Sequence, residues 1–474
     1  MKKTIITLTA SLFAMLSPAQ NLISSGSPLY KLPYKNTYVM QTLVAENTFR
    51  TAKVEKPKPG SFEQAKKVLP APYWEGHEKE IEMYWKAWQI GIKNVCQPLD
   101  NSGFVTSYIS PAYNGNIFMW DDAFITMFCR YGDRFFPFQK TLDNFYAKQH
   151  PDGFICREIR ADGSDCFGRY DPTSTGPNLL PWSEWLYFTQ FGDDNRLNKV
   201  FPVLAAYYKW LKLNRTWRNG TYWSSGWGTG MDNMPRVPEV VQESVAFAPH
   251  ILVDVSREVL DVVLKLLYLL PALQIESHLQ QDVSHHYLLQ AGVQASLAAD
   301  NPKYKANGRY WVGGVWPGTN YMVISGLVNK GYRRLAHDIV MNHYNNVLDV
   351  YKKTGTFWEY YAPESASPGF MARKDFVGWT GLPPIADLIE YIFGIRADIQ
   401  DNHVTLDVQL TDAYGIDRYP LGEKGNISFK VAKRSSVNDK PKVTIHSNIP
   451  FKLTLVWGNG ESVEKEVKEG NNVI

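Results

Sequence analysis

The run Ile81-Glu82-Met83-Tyr84-Trp85-Lys86-Ala87-Trp88-Gln89-Ile90-Gly91-Ile92 decides the fold class. Ile81, Tyr84, Trp85, Trp88 and Ile92 recur at spacings of three and four, the repeat that lines up one apolar helix face. Outward from it, further helices are expected at about 121–131, 137–149, 178–191, 195–213, 254–272, 280–298, 316–330, 331–353 and 380–393. Gly, Pro, Asn and Asp break them, as at Gly192-Asp193-Asp194-Asn195 and at Gly331. Antiparallel helix pairs joined by short turns, repeated along residues 61–396, predict a mainly α toroid rather than a four-helix bundle.

Both flanks differ. After Gly394 the period falls to two: His403 to Leu410, Asn426 to Val431, Lys442 to Ser447 and Phe451 to Trp457 alternate, and Gly458-Asn459-Gly460 supplies a turn. Residues 397–474 therefore read as a small C-terminal antiparallel β domain, structural because it lacks a cluster of acids and aromatics. At the other end, Lys2 and Lys3 precede an uncharged, mostly apolar run from Thr4 to Leu16, and Ser17-Pro18-Ala19 offers small residues before Gln20. Residues 1–19 read as a secretory signal peptide, which places the protein in the periplasm or outside the cell. No Cys follows that run to take a lipid anchor, and Leu260 to Leu273, the closest approach to a span, contains Asp261 and Lys265. Residues 20–60 are polar with no sustained period and form an N-terminal extension.

Lys+Arg number 50 and Asp+Glu 47, a net charge of +3, which excludes a field strong enough to recruit nucleic acid by itself. Hydrophobic residues at 44% allow a large core and exclude wholesale disorder. The 15 Trp, 27 Tyr and 23 Phe stand out, because flat faces beside hydrogen-bonding edges suit sugar rings, although packing also consumes aromatics. With four Cys, no C-x-x-C and no H-E-x-x-H, neither a zinc site nor any cofactor is expected; calcium and oligomeric state stay open. Cys156 and Cys166, on either side of an Asp162-Gly163 hairpin turn, are expected close enough to bridge in an oxidising compartment.

Four loops concentrate the chemistry: Phe118-Met119-Trp120-Asp121-Asp122-Ala123-Phe124; Trp223 to Asn233; Tyr310 to Tyr321; and Phe357-Trp358-Glu359-Tyr360-Tyr361-Ala362-Pro363-Glu364. All are rich in aromatics and three carry acids, and aromatic walls raise a carboxyl group's pKa by excluding water, as a general acid near neutral pH requires. Taken singly, each has a bland reading. Asp232 before Asn233 is an ordinary Asx turn, Asp121 an ordinary helix cap, and Glu359 an ordinary paired surface acid. The recurrence of one character in four loops argues against all three at once.

Trp120-Asp121-Asp122-Ala123-Phe124, Gly230-Met231-Asp232-Asn233, Gly314-Val315-Trp316-Pro317-Gly318-Thr319-Asn320-Tyr321, Trp358-Glu359-Tyr360-Tyr361-Ala362-Pro363 and Gly378-Trp379-Thr380-Gly381-Leu382 follow one another in an order that resembles the (α/α)6-barrel glycosidases. The nearest groups are glycoside hydrolase family 63 and the mannosylglycerate-hydrolase-like proteins, with trehalases more distant. The resemblance covers about residues 80–396 and implies a six-hairpin toroid and an inverting hydrolase of an α-linked glucoside or mannoside. It places the acid at Asp232 and the base at Glu359, with Glu364 as the second choice of base. Asp121 beside Trp120 would hold sugar hydroxyls, and Trp227, Asn233, Trp316, Asn320, Trp358, Tyr361 and Trp379 would wall the same subsite.

The chain also departs from that pattern. Only about 40 residues separate Val253-Asp254-Val255-Ser256 from Ser296-Leu297-Ala298-Ala299-Asp300, where the family places substantially more chain. A lost barrel element there would leave a glycan-binding protein with aromatic walls and no turnover as the competing expectation. A polysaccharide lyase on a similar toroid is disfavoured, since it needs a Tyr/His base beside a group that neutralises a uronate. An oligosaccharide or glycoside is the expected partner in either case.

Overall fold

The computed structural model describes residues 41–111, 113–217, 222–233 and 301–474, with fragments at 246–247, 288–289, 292–293 and 299. The expected signal peptide and the expected helix at 254–272 lie outside the described residues.

Helix α1, Glu78–Lys93, buries Tyr84, Trp88 and Ile92 of the face read from the sequence, while Ile81 and Trp85 sit half-buried at its margin. α2 follows at Met119–Cys129, α3 at Leu180–Phe191 and α4 at Asp194–Asn214. α3 stops at Gly192, whose φ of 68° lets its N–H close back on the Phe188 carbonyl; Asp193 then caps α4 by accepting the Arg196 N–H. α5, Pro317–Asn329, and α6, Arg333–Thr354, form the second close helix pair, joined through Gly331. The expected helix at 380–393 is a π-helix over Leu382–Ile392, with the Phe393 N–H donating five residues back to Leu388. Pro383 and Pro384 fit its first turn, where no N–H donor is required.

Two expectations fail locally. The stretch 137–149 splits into a 3-10 turn, Phe138–Leu142, and a short helix, Asp143–Ala147. Within 280–298 the four described residues form an antiparallel ladder, Leu288–Leu289 against Gly292–Val293. The rest of that stretch lies outside the described residues.

Nine strands complete the frame: β1 Ala71–Trp74, β2 Ile395–Asp398, β3 His403–Val408, β4 Tyr414–Leu421, β5 Gly425–Val431, β6 Val443–Ser447, β7 Phe451–Trp457, β8 Glu461–Val467 and β9 Gly470–Val473. Among the described residues the larger of the two main sheets runs β1-β4-β5-β6-β9 and the smaller β2-β3-β7-β8, beside four two-stranded ladders. The second sheet is mixed rather than antiparallel, because β3 and β7 lie parallel. β1 comes from the segment expected to be helical and pairs Trp74 with Tyr414. Four residues flanked by Pro70 and Gly76 are too short to show a period, which is why the sequence concealed it.

The sheets do not float free of the helices. One continuous buried core runs from Trp88, Phe128 and Trp316 through Ile385 to Val404, Leu455 and Phe429. Arg333 of α6 pairs with Asp407 of β3, and Arg134 donates to the carbonyls of Gly422 and Gly425. The extension joins a second core through Phe49; Val44 is buried as well, and Asn47 donates to the Tyr146 carbonyl at 2.9 Å. Isolated buried positions of that kind leave no periodic signature.

Asp162-Gly163 makes the expected hairpin turn, with φ of 83° at Gly163 and the Ser164 N–H donating to Asp162 Oδ1 at 2.8 Å. The bridge between Ile159 and Asp165 sets the register, so the Cys166 N–H bonds to the Glu158 carbonyl, and Cys166 lies beside both Glu158 and Cys156, as expected, without a disulfide to Cys156. All four cysteines are free. Thiol titration of the unreduced, denatured protein should therefore count four thiols per chain; two would show that a bridge forms.

Gly394 turns the chain from the π-helix into β2 at φ 75°, and a Cβ there would run into the Asp407 carbonyl. Gly331 has φ 84° but open space around it. Gly331→Ala should cost about 1–2 kcal/mol from backbone conformation alone. Gly394→Ala should cost at least twice that by urea denaturation, and equal costs would show that the close approach does not matter.

Candidate active site

α2 begins where a small hairpin docks. Ile117 and Phe118 pair with Ile159 and Glu158, and the Met119 N–H donates to the Arg157 carbonyl at 2.8 Å. This puts Trp120 and Asp121 in the first helical turn, beside Arg157 and Glu158. Asp122 caps from within the helix by accepting the Phe118 N–H at 3.2 Å. Asp121 is buried with Oδ1 unpaired, and burial, reinforced by the Glu359 charge, pushes its pKa well above the usual carboxylate range. The partial positive end of α2 opposes that cost.

The loop from Trp223 to Asn233 is held at both ends. At its start, Arg215 is layered between Trp210 and Trp223, 4.9 and 4.7 Å from their centroids, and donates to the Asp171 carbonyl at 2.9 Å. Ser225 Oγ accepts the Gly228 N–H at 2.8 Å, a 3-10 turn covers Trp227–Thr229, and Gly230 reverses the chain at φ 73°. At its end, Asn233 accepts the Trp311 N–H at 2.9 Å and donates to the Arg309 carbonyl at 3.3 Å. Asp232 is thereby fixed opposite Tyr310, whose hydroxyl donates to Oδ2 at 3.1 Å. Burial raises the Asp232 pKa against the opposing pull of that hydroxyl and of Arg157. Tyr310 sits at φ 56°, a strained position for a bulky residue, and three rings brace it: Trp311, Trp316 and Tyr360.

The third wall is the Phe357–Pro363 segment. Tyr361 and Val315 exchange backbone hydrogen bonds at 3.0 and 2.9 Å, and the Glu359 N–H donates to the Arg373 carbonyl at 2.9 Å. Trp379 Nε1 donates to the Glu359 carbonyl at 2.6 Å. Both side-chain oxygens of Glu359 are engaged, Oε1 by the Tyr113 hydroxyl at 3.0 Å and Oε2 by the Arg373 N–H at 3.3 Å. Burial raises the Glu359 pKa; the Tyr113 hydroxyl, the Arg373 N–H and the Arg373 charge all pull the other way, and the Asp232 charge adds to the rise.

These walls enclose a cleft of about 430 Å³. Of the residues named from the sequence, Trp120, Asp121, Trp227, Asp232, Glu359 and Trp379 line it together. Five others stand outside the lining. Trp316 is buried behind it, stacked on Trp311 at 3.9 Å and on Tyr360 at 4.5 Å. Asn320 is fully buried and bonds to the Trp316 carbonyl, Trp358 donates from its ring to Thr354, and the buried Tyr361 hydroxyl accepts the Trp358 N–H. Asn233 is the lock already described. Each belongs to a motif that reaches the cleft, but its own side chain points into the supporting layer. Glu364 is exposed and outside the lining.

Sequence reasoning missed Tyr113, Arg157, Glu158 and Arg373, which also line the cleft. The one available signal was an aromatic in the Gly- and Asn-rich stretch Tyr113-Asn114-Gly115-Asn116, just ahead of Trp120-Asp121. Among the described residues no cluster of His, Cys, Asp and Glu could hold a metal, and no helix is long and apolar enough to cross a membrane.

Comparison with known proteins gives the family through one sequence match. The sequence model of the mannosylglycerate hydrolase MGH1-like glycoside hydrolase domain matches residues 114–262 and 255–380, two stretches that overlap inside the shortened segment. An uncharacterized protein of Borreliella burgdorferi is 20% identical over 344 residues, 59% of this chain and 72% of that one. A probable mannosyl-oligosaccharide glucosidase of Schizosaccharomyces pombe is 30% identical over 97 residues, 18% of this chain and only 12% of its own length. Among solved structures, a GH63 mannosylglycerate hydrolase from Thermus thermophilus is 18% identical, covering 64% of this chain and 99% of its own, with a TM-score of 0.42. A GH78 family rhamnosidase of a Bacillus species is 14% identical, covering 82% of this chain and 43% of its own, at TM-score 0.51, a likeness of fold alone.

Asn233→Ala separates a lock from a sugar contact. Losing the lock should cost about 1 kcal/mol or more in thermal or urea unfolding, since the Trp311 N–H loses its acceptor. Unchanged stability with a raised KM would make Asn233 a substrate ligand instead.

Proposed function

The chain belongs to the mannosylglycerate hydrolase MGH1-like glycoside hydrolase family, and on that premise we propose that it is an exported, inverting glycosidase acting on an α-linked glucoside or mannoside. One observation supports this most: Asp232 and Glu359, 127 positions apart in sequence, face one aromatic cleft, each held by a tyrosine hydroxyl. In this reading the helices around the cleft form the six-hairpin toroid at 61–396, residues 397–474 support it, and residues 1–19 direct it to the periplasm or beyond.

Asp232 is the general acid. Burial favours its neutral form, which protonates the leaving oxygen, and the Tyr310 hydroxyl steadies the carboxylate left behind. Glu359 is the base that takes a proton from water as it attacks the opposite face of the anomeric carbon. Asp121, with one buried oxygen unpaired, accepts from sugar hydroxyls, and Trp120, Trp227 and Trp379 exclude water around the ring. A base must be ionised and an acid protonated, so activity falls below the Glu359 pKa and above the Asp232 pKa. Both are raised, which moves the working window above the ordinary carboxylate range.

A second reading, a glycan-binding protein without turnover, draws on the shortened stretch between Ser256 and Ser296 and on the two overlapping family matches. A panel of α-linked disaccharides, with proton NMR of the first anomer released, separates the two. The α-glycosidase reading expects the β-anomer first. Release of the α-anomer would contradict inversion, and binding without turnover across the panel would leave the second reading.

Asp232→Asn should slow disaccharides by roughly 10²–10⁴-fold and activated aryl glycosides much less, because good leaving groups need little protonation. Glu359→Gln should slow both to that degree. Near-normal hydrolysis by Glu359→Gln would move the base elsewhere.

A further inference from the structure

Tyr113 and Glu359 meet although they lie far apart in the chain, the tyrosine hydroxyl donating to Oε1 at 3.0 Å. Arg373 completes the contact from two directions. Its backbone N–H donates to Oε2 at 3.3 Å, and its Nη2 donates to the Tyr113 carbonyl at 2.9 Å. Its guanidinium lies 4.9 Å over the Tyr113 ring. Phe118 and Phe376 pack against the same ring at centroid distances of 5.1 and 5.4 Å. The carboxylate is thus held by both oxygens, and one of its holders is itself held by the other.

We propose that Tyr113 and Arg373 form a clasp that orients Glu359 and keeps it in the anionic form needed to activate water. Both are positioning residues, and the inference rests on the reading of Glu359 as the base.

The surroundings of Glu359 make such a device necessary. Asp121 and Asp232 present two further acids to it, and burial removes water that would otherwise solvate its charge. Both effects favour the neutral acid, which cannot accept a proton from water. Opposing them are the Arg373 charge and two donors, one to each oxygen, which favour the anion. Tyr310 and Tyr360 also face Glu359, but burial keeps their hydroxyls protonated, so they add no charge. Tyr113 is protected in the same way: burial holds its phenol neutral and therefore able to donate. With one lone-pair direction on each oxygen occupied, about half of the carboxylate's acceptor directions remain, which narrows the ways an attacking water can meet it.

A packing role alone would not need the phenol oxygen. Phenylalanine would preserve the contacts with Phe118, Phe376 and the guanidinium, so if packing were the whole role, Tyr113→Phe would behave as wild type.

The test uses the full chain and 4-nitrophenyl α-glucopyranoside or α-mannopyranoside, whichever turns over. Tyr113→Phe should lower kcat roughly 10- to 100-fold, the scale of one hydrogen bond to a charged group, with KM changed less than about threefold. The acidic limb of the kcat/KM profile should move to higher pH, since removing a donor to the anion raises the base's pKa. Arg373→Met, which keeps the backbone donor and removes the charge, should move the same limb in the same direction. It also serves if Tyr113→Phe does not fold. An unmoved limb in these variants, whether kcat falls or not, overturns the clasp. Glu359→Gln in parallel distinguishes the two claims. If it is inactive while the limb stays put, only the clasp fails. If it remains active, the reading of Glu359 as base fails, and the clasp with it.

Discussion

Three carboxyl groups, those of Asp121, Asp232 and Glu359, share one aromatic cleft, where Glu359 opposes the ionisation of Asp121 and Asp232 opposes that of Glu359. Burying like charges together is costly unless each meets a donor or a dipole. The walls answer that cost separately. Asp121 sits on the positive end of α2, Asp232 meets the Tyr310 hydroxyl, and Glu359 is gripped by Tyr113 and Arg373. Because the three solutions differ, the three acids need not behave alike, and that difference is what an acid and a base in one site require.

Such an arrangement needs stiff supports. Glu390 of the π-helix accepts from Arg130 at 2.8 Å, Tyr131 at 3.1 Å and Tyr321 at 2.8 Å, all of them buried. This network ties the end of α2 to α5 and to the helix that follows Trp379, three elements that each lead into the cleft. An ion pair buried so deeply is weak evidence for stability, but breaking it by removing one partner would leave an uncompensated buried charge. Behind Tyr310, the stack of Trp311, Trp316 and Tyr360 fills the gap between the second and third walls and holds the strained tyrosine in place. The sheets back the same helices from outside through Asp407 and Arg333.

The helical face from Ile81 to Ile92 was legible because burial on one side of a helix imposes a period. The strands from His403 onward were legible for the same reason with a different period. β1 and the buried residues near Phe49 were not, because four residues or one residue carry no period. At the site, acids flanked by aromatics were visible as loops with one shared character. Which side chain of each loop faces the cleft was not visible: Trp316, Asn320, Trp358 and Tyr361 belong to the right motifs and point into the layer behind. Tyr113 and Arg373 escaped for the converse reason. Their role comes from a contact between distant parts of the chain, and neither stands in a stretch with catalytic character of its own.

The central claim is that Asp232 and Glu359 act across one cleft from opposite faces of a sugar. A crystal structure with an α-linked disaccharide, or the sugar released from it, in the cleft of the Glu359→Gln protein tests it most directly. The account predicts a pyranose between the two side chains and carboxyl-position separations of roughly 6.5–9.5 Å, leaving room for the attacking water. A separation near 5 Å, or a sugar bound away from both residues, would contradict it.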